Sequence, residues 1–212
     1  MALFQKKPIV SDSLPLYSLG ANKTVLLIGL GNPEAKYNET RHNIGFATLN
    51  FFAESNDFPD WVSKKDLKCH MSVKTLGHTR VILCKPTTYM NNSGEAAVAI
   101  QHFYRVYNSS ALAIYDELAV KFGQLRTRVG GSDAGHNGVG SLIQHIGDDF
   151  NRLRIGIGSE TSDKAEPTNF VLGKFTKQEQ ENLTLIYREA NEFINEFIFS
   201  GKLIPQTRNV LG

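Results

Sequence analysis

TVLLIGLGNP, residues 24–33, decides the fold class, because a continuous aliphatic and β-branched run ends there in a glycine-containing turn. A run of this kind, without alternating polar residues, is typical of a strand that is buried on both faces of a sheet. Gly29 and Gly31 predict a sharp backbone turn that presents Asn32 at the sheet edge. We therefore expect a buried strand followed directly by a functional loop.

Strand-like and helix-like segments alternate along the rest of the chain. The other predicted strands cover residues 71–76, 80–84, 111–115, 122–128 and 153–157. Helices are predicted near Asn43 with Ile44, Ala47 and Phe51 at helical spacing, after Ser93 as N-cap, around 142–146, and after a capping box that begins at Thr176. This alternation predicts an α/β single domain, with a twisted, mixed, mostly parallel β-sheet flanked by helices.

Length and composition narrow the class of protein. The 212 residues, 41% of them hydrophobic, suit one domain with a substantial core. Residues 1–22 show no clear period and are predicted to form a mobile N-terminal extension before a domain over 23–212. No apolar run reaches the length of about 18 residues that a membrane span needs, and the start of the chain does not read as a secretory signal or a transit peptide. We expect a soluble, cytoplasmic protein.

Cysteine and charge patterns add two expectations. Cys69 and Cys84 are the only cysteines and form no metal-binding spacing, so a disulfide framework and a zinc site are not expected. Basic residues recur over 64–80 and 121–154, whereas 179–196 holds five glutamates against Arg188. The molecule is therefore expected to have a basic side and an acidic side, and the basic side is the candidate surface for nucleic acid.

His42 and Asp116 are the leading catalytic candidates. An isolated histidine is more often a structural residue, but Asp116 directly follows a predicted buried strand, where open α/β sheets place their ligands. There the carboxylate could hold the Nδ1 proton of His42 and leave Nε2 free to accept a proton. A dinucleotide site is not expected at GLGNPE, because Glu34 would face a pyrophosphate, and a Gly-x-Ser-x-Gly esterase elbow is absent.

Several motifs in a fixed order resemble the bacterial-type peptidyl-tRNA hydrolase family. They are IGLGNP (28–33), TRHN (40–43), KPTTYMN (85–91), DEL (116–118), GHNG (135–138), RLRIGIG (152–158) and FVLGKF (170–175). Each is weak alone, but together they span most of the chain. The resemblance implies that family's fold and its reaction, the hydrolysis of the ester bond between a peptide and the 3′ ribose of tRNA.

The resemblance also implies roles at the reacting bond. His42 would activate water and Asp116 would orient its imidazole, without a metal or any other cofactor. Asn32 and Asn91 would hold the substrate peptide and the carbonyl that becomes the oxyanion, and Asn137 would contact the water or the ribose. Amide donors are suited to stabilising developing negative charge.

Other matched positions concern the tRNA. Tyr37 and Met90 would flank the terminal adenosine and the peptide, and His136 would be a tRNA or structural contact. Arg128 and Arg154 would hold the 5′ phosphate of the tRNA.

Each of these arginines has a further arginine two residues earlier, Arg126 and Arg152, on the same face of its predicted strand. Paired cations suit phosphate binding, although a solvated sheet edge is the competing interpretation. Asp133 departs from the small residues of the family's best-studied bacterial members and places a negative charge near this surface.

The competing function on the same fold is a non-catalytic RNA-binding protein. Such a protein could dispense with the base and the water-positioning groups, so the joint presence of His42, Asp116 and the three asparagines favours the enzyme. We expect a monomer that acts on peptidyl-tRNA and needs neither a membrane nor an obligate protein partner.

Overall fold

The computed structural model describes residues 23–159, 162 and 166–211. The predicted extension over 1–22 lies outside these residues. Within them, eight strands form a single sheet in the order β2-β3-β4-β1-β5-β7-β6-β8. The strands are β1 (Lys23–Gly29), β2 (Val62–Lys64), β3 (Cys69–Leu76), β4 (Thr79–Pro86), β5 (Ala111–Lys121), β6 (Gln124–Val129), β7 (Asn151–Gly158) and β8 (Thr207–Asn209).

Helices cover both faces of this sheet. The α-helices of the described residues are α1 (Ile44–Ser55), α2 (Ser93–Tyr104), α3 (Asn137–Ile146), α4 (Pro167–Leu172) and α5 (Lys177–Ser200). Two 3₁₀ turns, Arg41–Asn43 and Met90–Asn92, run directly into α1 and α2. None of these helices has the length and apolar character needed to cross a bilayer.

The sheet is mixed, and most of its strands run in one direction. β1 is parallel to β4 and β5, and β5 is parallel to β7. β3 and β6 run against their neighbours, which leaves six of the eight described strands pointing the same way. The predicted α/β class with a mixed, mostly parallel sheet is confirmed.

β1 lies at the centre of the sheet and is buried on both faces. Val25 and Leu27 belong to the core beneath α1 and α5, whereas Leu26 and Ile28 belong to the core beneath α2 and α3. Because successive side chains of a strand point to opposite faces, a strand between two cores must be apolar throughout. This explains the uninterrupted run from which the fold class was predicted.

Gly29 at the end of β1 and Gly31 just after it serve close packing and not a sharp turn. Neither Gly29 nor Gly31 has a positive φ. A Cβ on Gly29 would overlap the backbone of Gly45, and a Cβ on Gly45 would overlap the backbone of Leu30 and Ile114. The predicted role of Gly29 and Gly31 is therefore corrected. Gly29 and Gly45 let the first turn of α1 lie directly against β1 and β5.

The helix predicted near Asn43 is α1, in which Ile44 is buried and Ala47 and Phe51 are partly buried. One local prediction about the helices needs correction. Ser93 is the first residue of α2 and not its cap, because the preceding 3₁₀ turn continues into the helix and the Ser93 hydroxyl donates to Met90 O at 2.9 Å.

The ends of α5 and the β3–β4 hairpin agree with the sequence prediction. Thr176 and Glu179 form the predicted capping box, and Gly201 ends the helix in the left-handed region. β3 and β4 pair antiparallel around Gly77.

Asp116 was predicted to come at the end of a strand, but it lies in the middle of β5. The strand continues to Lys121 past a register shift against β7 between Glu117 and Lys121. Gly156 and Gly158 of β7 make this possible, since a Cβ on either would overlap the β5 backbone. Strand backbone therefore precedes and follows Asp116 within β5 and fixes its position.

Candidate active site

A cavity of about 580 Å³ opens beside β1 and β5, bordered by the loop after β1, the turn before α2, the start of α3 and α4. Eight of the ten residues predicted for the site line it: Asn32, Tyr37, His42, Met90, Asn91, Asp116, His136 and Asn137. The parallel arrangement of β1, β4 and β5 accounts for this convergence, because it brings their carboxyl ends to one edge of the sheet.

The His42 imidazole is held by the Asp116 carboxylate. His42 Nδ1 lies 2.9 Å from Asp116 Oδ1 and 3.1 Å from Oδ2, and Asp116 is 2% exposed. An ionised carboxylate only accepts hydrogen bonds, so Nδ1 carries the proton of this contact. No hydrogen bond within the described residues occupies His42 Nε2, which leaves this nitrogen available to the cavity.

A second histidine binds the same carboxylate. His136 Nε2 lies 3.1 Å from Asp116 Oδ1, and the His42 and His136 ring centroids are 4.9 Å apart. At the start of α3, His136 Nδ1 accepts the backbone N–H groups of Gly138 and Val139 at 3.1 and 3.3 Å. Since Nδ1 accepts, Nε2 must be the protonated nitrogen and donates to Asp116. The sequence did not indicate this contact.

The two histidines determine the charge of Asp116. Burial alone would raise the pKa of this carboxyl group, but the interactions with His136 and His42 outweigh burial and hold the pKa well below its usual range. Asp116 is therefore ionised whenever the cavity is in contact with neutral solvent.

His42, Asp116 and His136 also form a group of potential metal ligands, whose ligand atoms lie within 4.8 Å of one another. The spacing of these residues in the sequence did not indicate such a group. Its hydrogen bonds favour protons over a metal ion, because ligation by His136 Nε2 would require a proton on Nδ1, which already accepts two N–H groups.

The backbone of Asn32 is fixed by two hydrogen bonds with the Asn43 side chain. Asn32 N donates to Asn43 Oδ1, and Asn43 Nδ2 donates to Asn32 O, each at 2.9 Å. Asn32 Oδ1 accepts from Met90 N at 2.8 Å. With its oxygen occupied, the Asn32 side chain is left with its NH₂ group as a donor. Asn43 was part of a quoted motif but received no role from the sequence.

Asn91 and Asn137 lie at the mouth of the cavity and are exposed. Their side-chain amides make no hydrogen bond within the described residues, so both can bind a ligand. Tyr37 and the exposed Tyr89 border the same opening, while Met90 is buried.

Arg128 and Arg154 do not line this cavity. Arg154 Nη1 lies 3.6 Å from Glu117 Oε2, and Glu117 is a lining residue. Arg154 faces Arg126 across the β6–β7 pair, while the exposed Arg128 packs against Gly131. These arginines therefore border the site from the adjoining part of the sheet.

Arg152 is not part of a free pair of cations. It is buried, and its guanidinium donates to Ser132 O at 2.6 Å, to Gly131 O and to Asp148 O. Arg152 thus holds the glycine-rich loop in place. The expectation that it supports Arg154 as a second phosphate ligand is wrong, because Arg152 is buried and backbone oxygens already accept from its Nη1 and Nη2.

The Asp133 carboxylate organises the loop before α3. Its Oδ1 accepts from Gly135 N at 3.0 Å, and its backbone oxygen accepts from His136 N at 2.9 Å. The negative charge predicted near the RNA-binding surface is exposed and sits in a turn that leads to His136.

Comparison with known proteins identifies the family. Residues 26–210 match the sequence profile described as peptidyl-tRNA hydrolase. The chain belongs to the peptidyl-tRNA hydrolase family. Peptidyl-tRNA hydrolase of Gloeobacter violaceus is 42% identical over 177 residues, which cover 83% of this chain and 88% of the relative. The enzyme of Sphingopyxis alaskensis is 44% identical over 158 residues, 74% of this chain and 82% of the relative.

A solved structure supports the same assignment. The crystal structure of peptidyl-tRNA hydrolase from Acinetobacter baumannii superimposes with a TM-score of 0.76 and 31% identity, covering 85% of this chain and 91% of that one. Family membership confirms the predicted hydrolase and its fold. The relatives are named as hydrolases, and nothing in the comparison supports the non-catalytic alternative.

Proposed function

We propose that this chain hydrolyses the ester bond of peptidyl-tRNA with His42 as the general base. The observation that carries the proposal is the His42–Asp116 pair, in which Nδ1 is bound at 2.9 Å while Nε2 has no described partner and His42 lines the cavity. Family membership supports the choice of substrate.

The reaction needs one water molecule and no covalent intermediate. His42 Nε2 takes a proton from water as the water oxygen attacks the ester carbonyl carbon, and the carbonyl becomes a tetrahedral oxyanion. When this intermediate collapses, the bond to the ribose 3′ oxygen breaks and His42 returns the proton to that oxygen. The products are a peptide with a new carboxyl group and a tRNA with a free 3′ hydroxyl. Asp116 stabilises the transient imidazolium.

Asn32 is the donor placed to bind the oxyanion. Met90 N binds the side-chain oxygen of Asn32 and Asn43 fixes the Asn32 backbone, so the NH₂ group is aimed before the substrate arrives. A preorganised donor of this kind is worth on the order of 10²-fold in rate. Asn91 and Asn137, whose amides are free, would contact the peptide and the water or ribose.

His136 acts here as a positioning residue. It helps to keep Asp116 ionised and donates a hydrogen bond to one carboxylate oxygen, so that the carboxylate cannot rotate away from His42. Its bonds to the α3 backbone tie this position to the fold. It does not need to transfer a proton to the substrate.

The remaining predicted residues would bind the tRNA. Tyr37 and Met90 border the cavity, which supports their proposed contacts with the terminal adenosine and the peptide. Arg128 and Arg154 would hold the 5′ phosphate. Two observations support this assignment: Arg128 is exposed, and Arg126 lies opposite Arg154 across the β6–β7 pair.

The chain is proposed to act as a cytoplasmic monomer in which residues 23–212 form the catalytic domain and 1–22 an extension. The eight predicted residues that line the cavity all lie within 23–212, which supports the assignment of the catalytic domain.

The test is hydrolysis of purified N-acetyl-aminoacyl-tRNA in water enriched in ¹⁸O. We expect tRNA release with one ¹⁸O atom in the carboxyl group of the released N-acetyl amino acid. Absence of tRNA release by the folded wild-type chain would reject the function. Release with the label in the tRNA would reject attack at the carbonyl.

A further inference from the structure

A second groove lies on the other side of the loop that carries Asn32. It has a volume of about 560 Å³ and is bordered by α1, the start of α5, and the adjoining ends of β3 and β4. It shares Asn32 with the catalytic cavity but contains none of the groups that take part in the proposed proton transfer. Its most unusual residue is Lys85.

Lys85 is half-buried, and its ammonium group contacts neutral side chains. Its ammonium group donates to Asn50 Oδ1 at 2.6 Å and lies 3.8 Å from the centroid of the Trp61 ring. Within the described residues, no aspartate or glutamate forms an ion pair with it, and burial lowers the pKa of Lys85 to about 8. A partly desolvated cation without a counter-ion is destabilised, and a bound anion would relieve this.

The other titratable groups of the groove do not supply that anion. His70 faces Lys85 across the β3–β4 pair, and burial together with the charge of Lys85 lowers its pKa. Burial raises the pKa of Tyr187 to about 12, so its phenol is neutral. Glu39 borders the groove but is exposed and bound to Lys174 at 2.9 Å.

The remaining lining indicates the kind of ligand. Phe46, Leu183 and Tyr187 provide an apolar wall, and Asn38 and Gln180 provide neutral amides. No arginine lines the groove within the described residues, so the bidentate donors that favour phosphate are missing there. One point charge beside apolar surface suits a singly charged carboxylate.

We propose that this groove binds a carboxylate carried on an apolar body, with the Lys85 ammonium as its counter-ion. Asn50 positions the ammonium, and the aromatic and aliphatic wall contacts the body of the ligand. The carboxylate could belong to an acidic side chain of the substrate peptide or to a separate small molecule, and these two sources are distinguished below.

The first experiment measures binding without turnover. The full chain is titrated with 3-phenylpropionate and, as an uncharged match, with 3-phenylpropionamide. We expect the carboxylate to bind at least tenfold more tightly than the amide. NMR of ¹³Cε-labelled lysine should show the pKa of Lys85 rising by about one pH unit at saturation, which corresponds to a tenfold preference for the protonated amine.

Variants assign the effect to Lys85. Lys85→Met keeps the length of the side chain without its charge and should lose the preference for carboxylate, whereas Lys177→Met, which removes an exposed lysine of α5, should retain it. Equal binding of both probes to the wild type, an unchanged Lys85 pKa, or full carboxylate binding by Lys85→Met would overturn the proposal. The wild-type pKa measurement decides the matter even if the variant does not fold.

The second experiment identifies the source. N-acetyl-glutamyl-tRNA and N-acetyl-glutaminyl-tRNA are compared as substrates of the wild type and Lys85→Met. A rise in KM for the glutamyl substrate alone assigns the carboxylate to the substrate peptide. If Lys85→Met leaves the KM of both substrates at the wild-type value, while the wild type binds 3-phenylpropionate, the groove is assigned to a separate carboxylate. This source assignment rests on the proposed function, but the probe titration does not, so failure of one is distinguishable from failure of the other.

Discussion

The two cavities beside Asn32 differ in how their charges are neutralised. In the catalytic cavity, the buried Asp116 carboxylate is bound by both His42 and His136. In the second groove, the Lys85 ammonium has one neutral amide and the face of a tryptophan. The first arrangement is complete without a ligand, whereas the second leaves a charge uncompensated.

This difference suggests two ways of using a polar group. A catalytic group must hold its geometry before the substrate arrives, and hydrogen bonds within the protein achieve this. A binding group can instead remain incompletely paired, so that the ligand supplies the missing interaction. If the two cavities differ in this way, substitutions in the first should change the rate of hydrolysis, and substitution of Lys85 in the second should change binding and stability.

Removing the base should have the largest effect. His42→Ala should lower kcat by about 10²- to 10⁴-fold while tRNA binding survives, because the imidazole supplies proton transfer. Single-turnover hydrolysis and filter binding of N-acetyl-aminoacyl-tRNA measure the two quantities. His78→Ala, which removes an exposed histidine of the β3–β4 turn, is the matched control and should keep the wild-type rate. Unchanged turnover in His42→Ala would reject the mechanism.

Changing the shared carboxylate should have a smaller kinetic effect. Asp116→Asn should lower kcat by on the order of 10²-fold, because the amide keeps a hydrogen bond but cannot stabilise an imidazolium or enforce the proton on His42 Nδ1. A loss greater than that of His42→Ala would contradict this order.

The same substitution has a pH-dependent effect on stability. Since the folded pKa of Asp116 lies below its ordinary value of 3.8, the stabilisation by its charge is complete above about pH 4 and is lost as the pH falls further. Urea unfolding should therefore show the stability difference between wild type and Asp116→Asn narrowing below pH 4. A constant difference would show that the charge is not involved.

Outside both cavities, the arginines should affect binding more than chemistry. Replacing Arg128 and Arg154 with glutamine should raise KM severalfold and leave the single-turnover rate nearly intact. The slope of log K against log salt should flatten by about 1 to 2, at roughly 0.7 to 0.9 for each phosphate contact. If the variant still distinguishes tRNA with and without its 5′ phosphate as the wild type does, the phosphate site lies elsewhere.

Removing the uncompensated charge should stabilise the protein slightly. Because the pKa of Lys85 falls from its ordinary 10.5 to about 8 in the fold, its protonated form destabilises the folded state below about pH 8. Lys85→Met should raise the free energy of unfolding at pH 7 by roughly 1 kcal/mol after allowance for solvent screening. The gain should shrink between pH 8 and pH 10, as urea unfolding can show. A gain that persists at pH 10 would point to packing instead of charge.

Metal removal should have no effect. If protons hold His42, Asp116 and His136 together, dialysis against a chelator should leave kcat unchanged. Activity that is lost on dialysis and restored by zinc would show that this cluster is a metal site.

The sequence predicted most of the catalytic cavity because most of its residues lie in the loops after strands or in glycine-rich turns. His42 and Asp116 were paired correctly, although they lie 74 residues apart. The bond between His136 and Asp116 was missed, since it depends on the angle at which α3 begins. The bonding of the Asn43 side chain to the Asn32 backbone was also missed, because the loop that brings them together carries no periodic signal.

The second groove could not be predicted in this way. His70 and Lys85 meet through the register of a hairpin, and the opposite wall comes from α5, about a hundred residues later in the chain. Neither the lack of a counter-ion nor the depth of burial is visible in a pattern of residue types. Likewise, the continuation of β5 beyond Asp116 depended on glycines in the neighbouring β7.

The central position of β1 has a consequence for the synthesis of the protein itself. β1 is the first of the described strands to leave the ribosome, yet its neighbours β4 and β5 are made later. At translation rates of about 5 to 20 residues per second, the apolar strand remains without partners for several seconds. Asp116 and His136 follow later still, so the cluster of His42, Asp116 and His136 cannot assemble before residue 136 has been made. The sheet of this protein therefore cannot be completed until late in its translation, and β1 stays without its neighbouring strands until then.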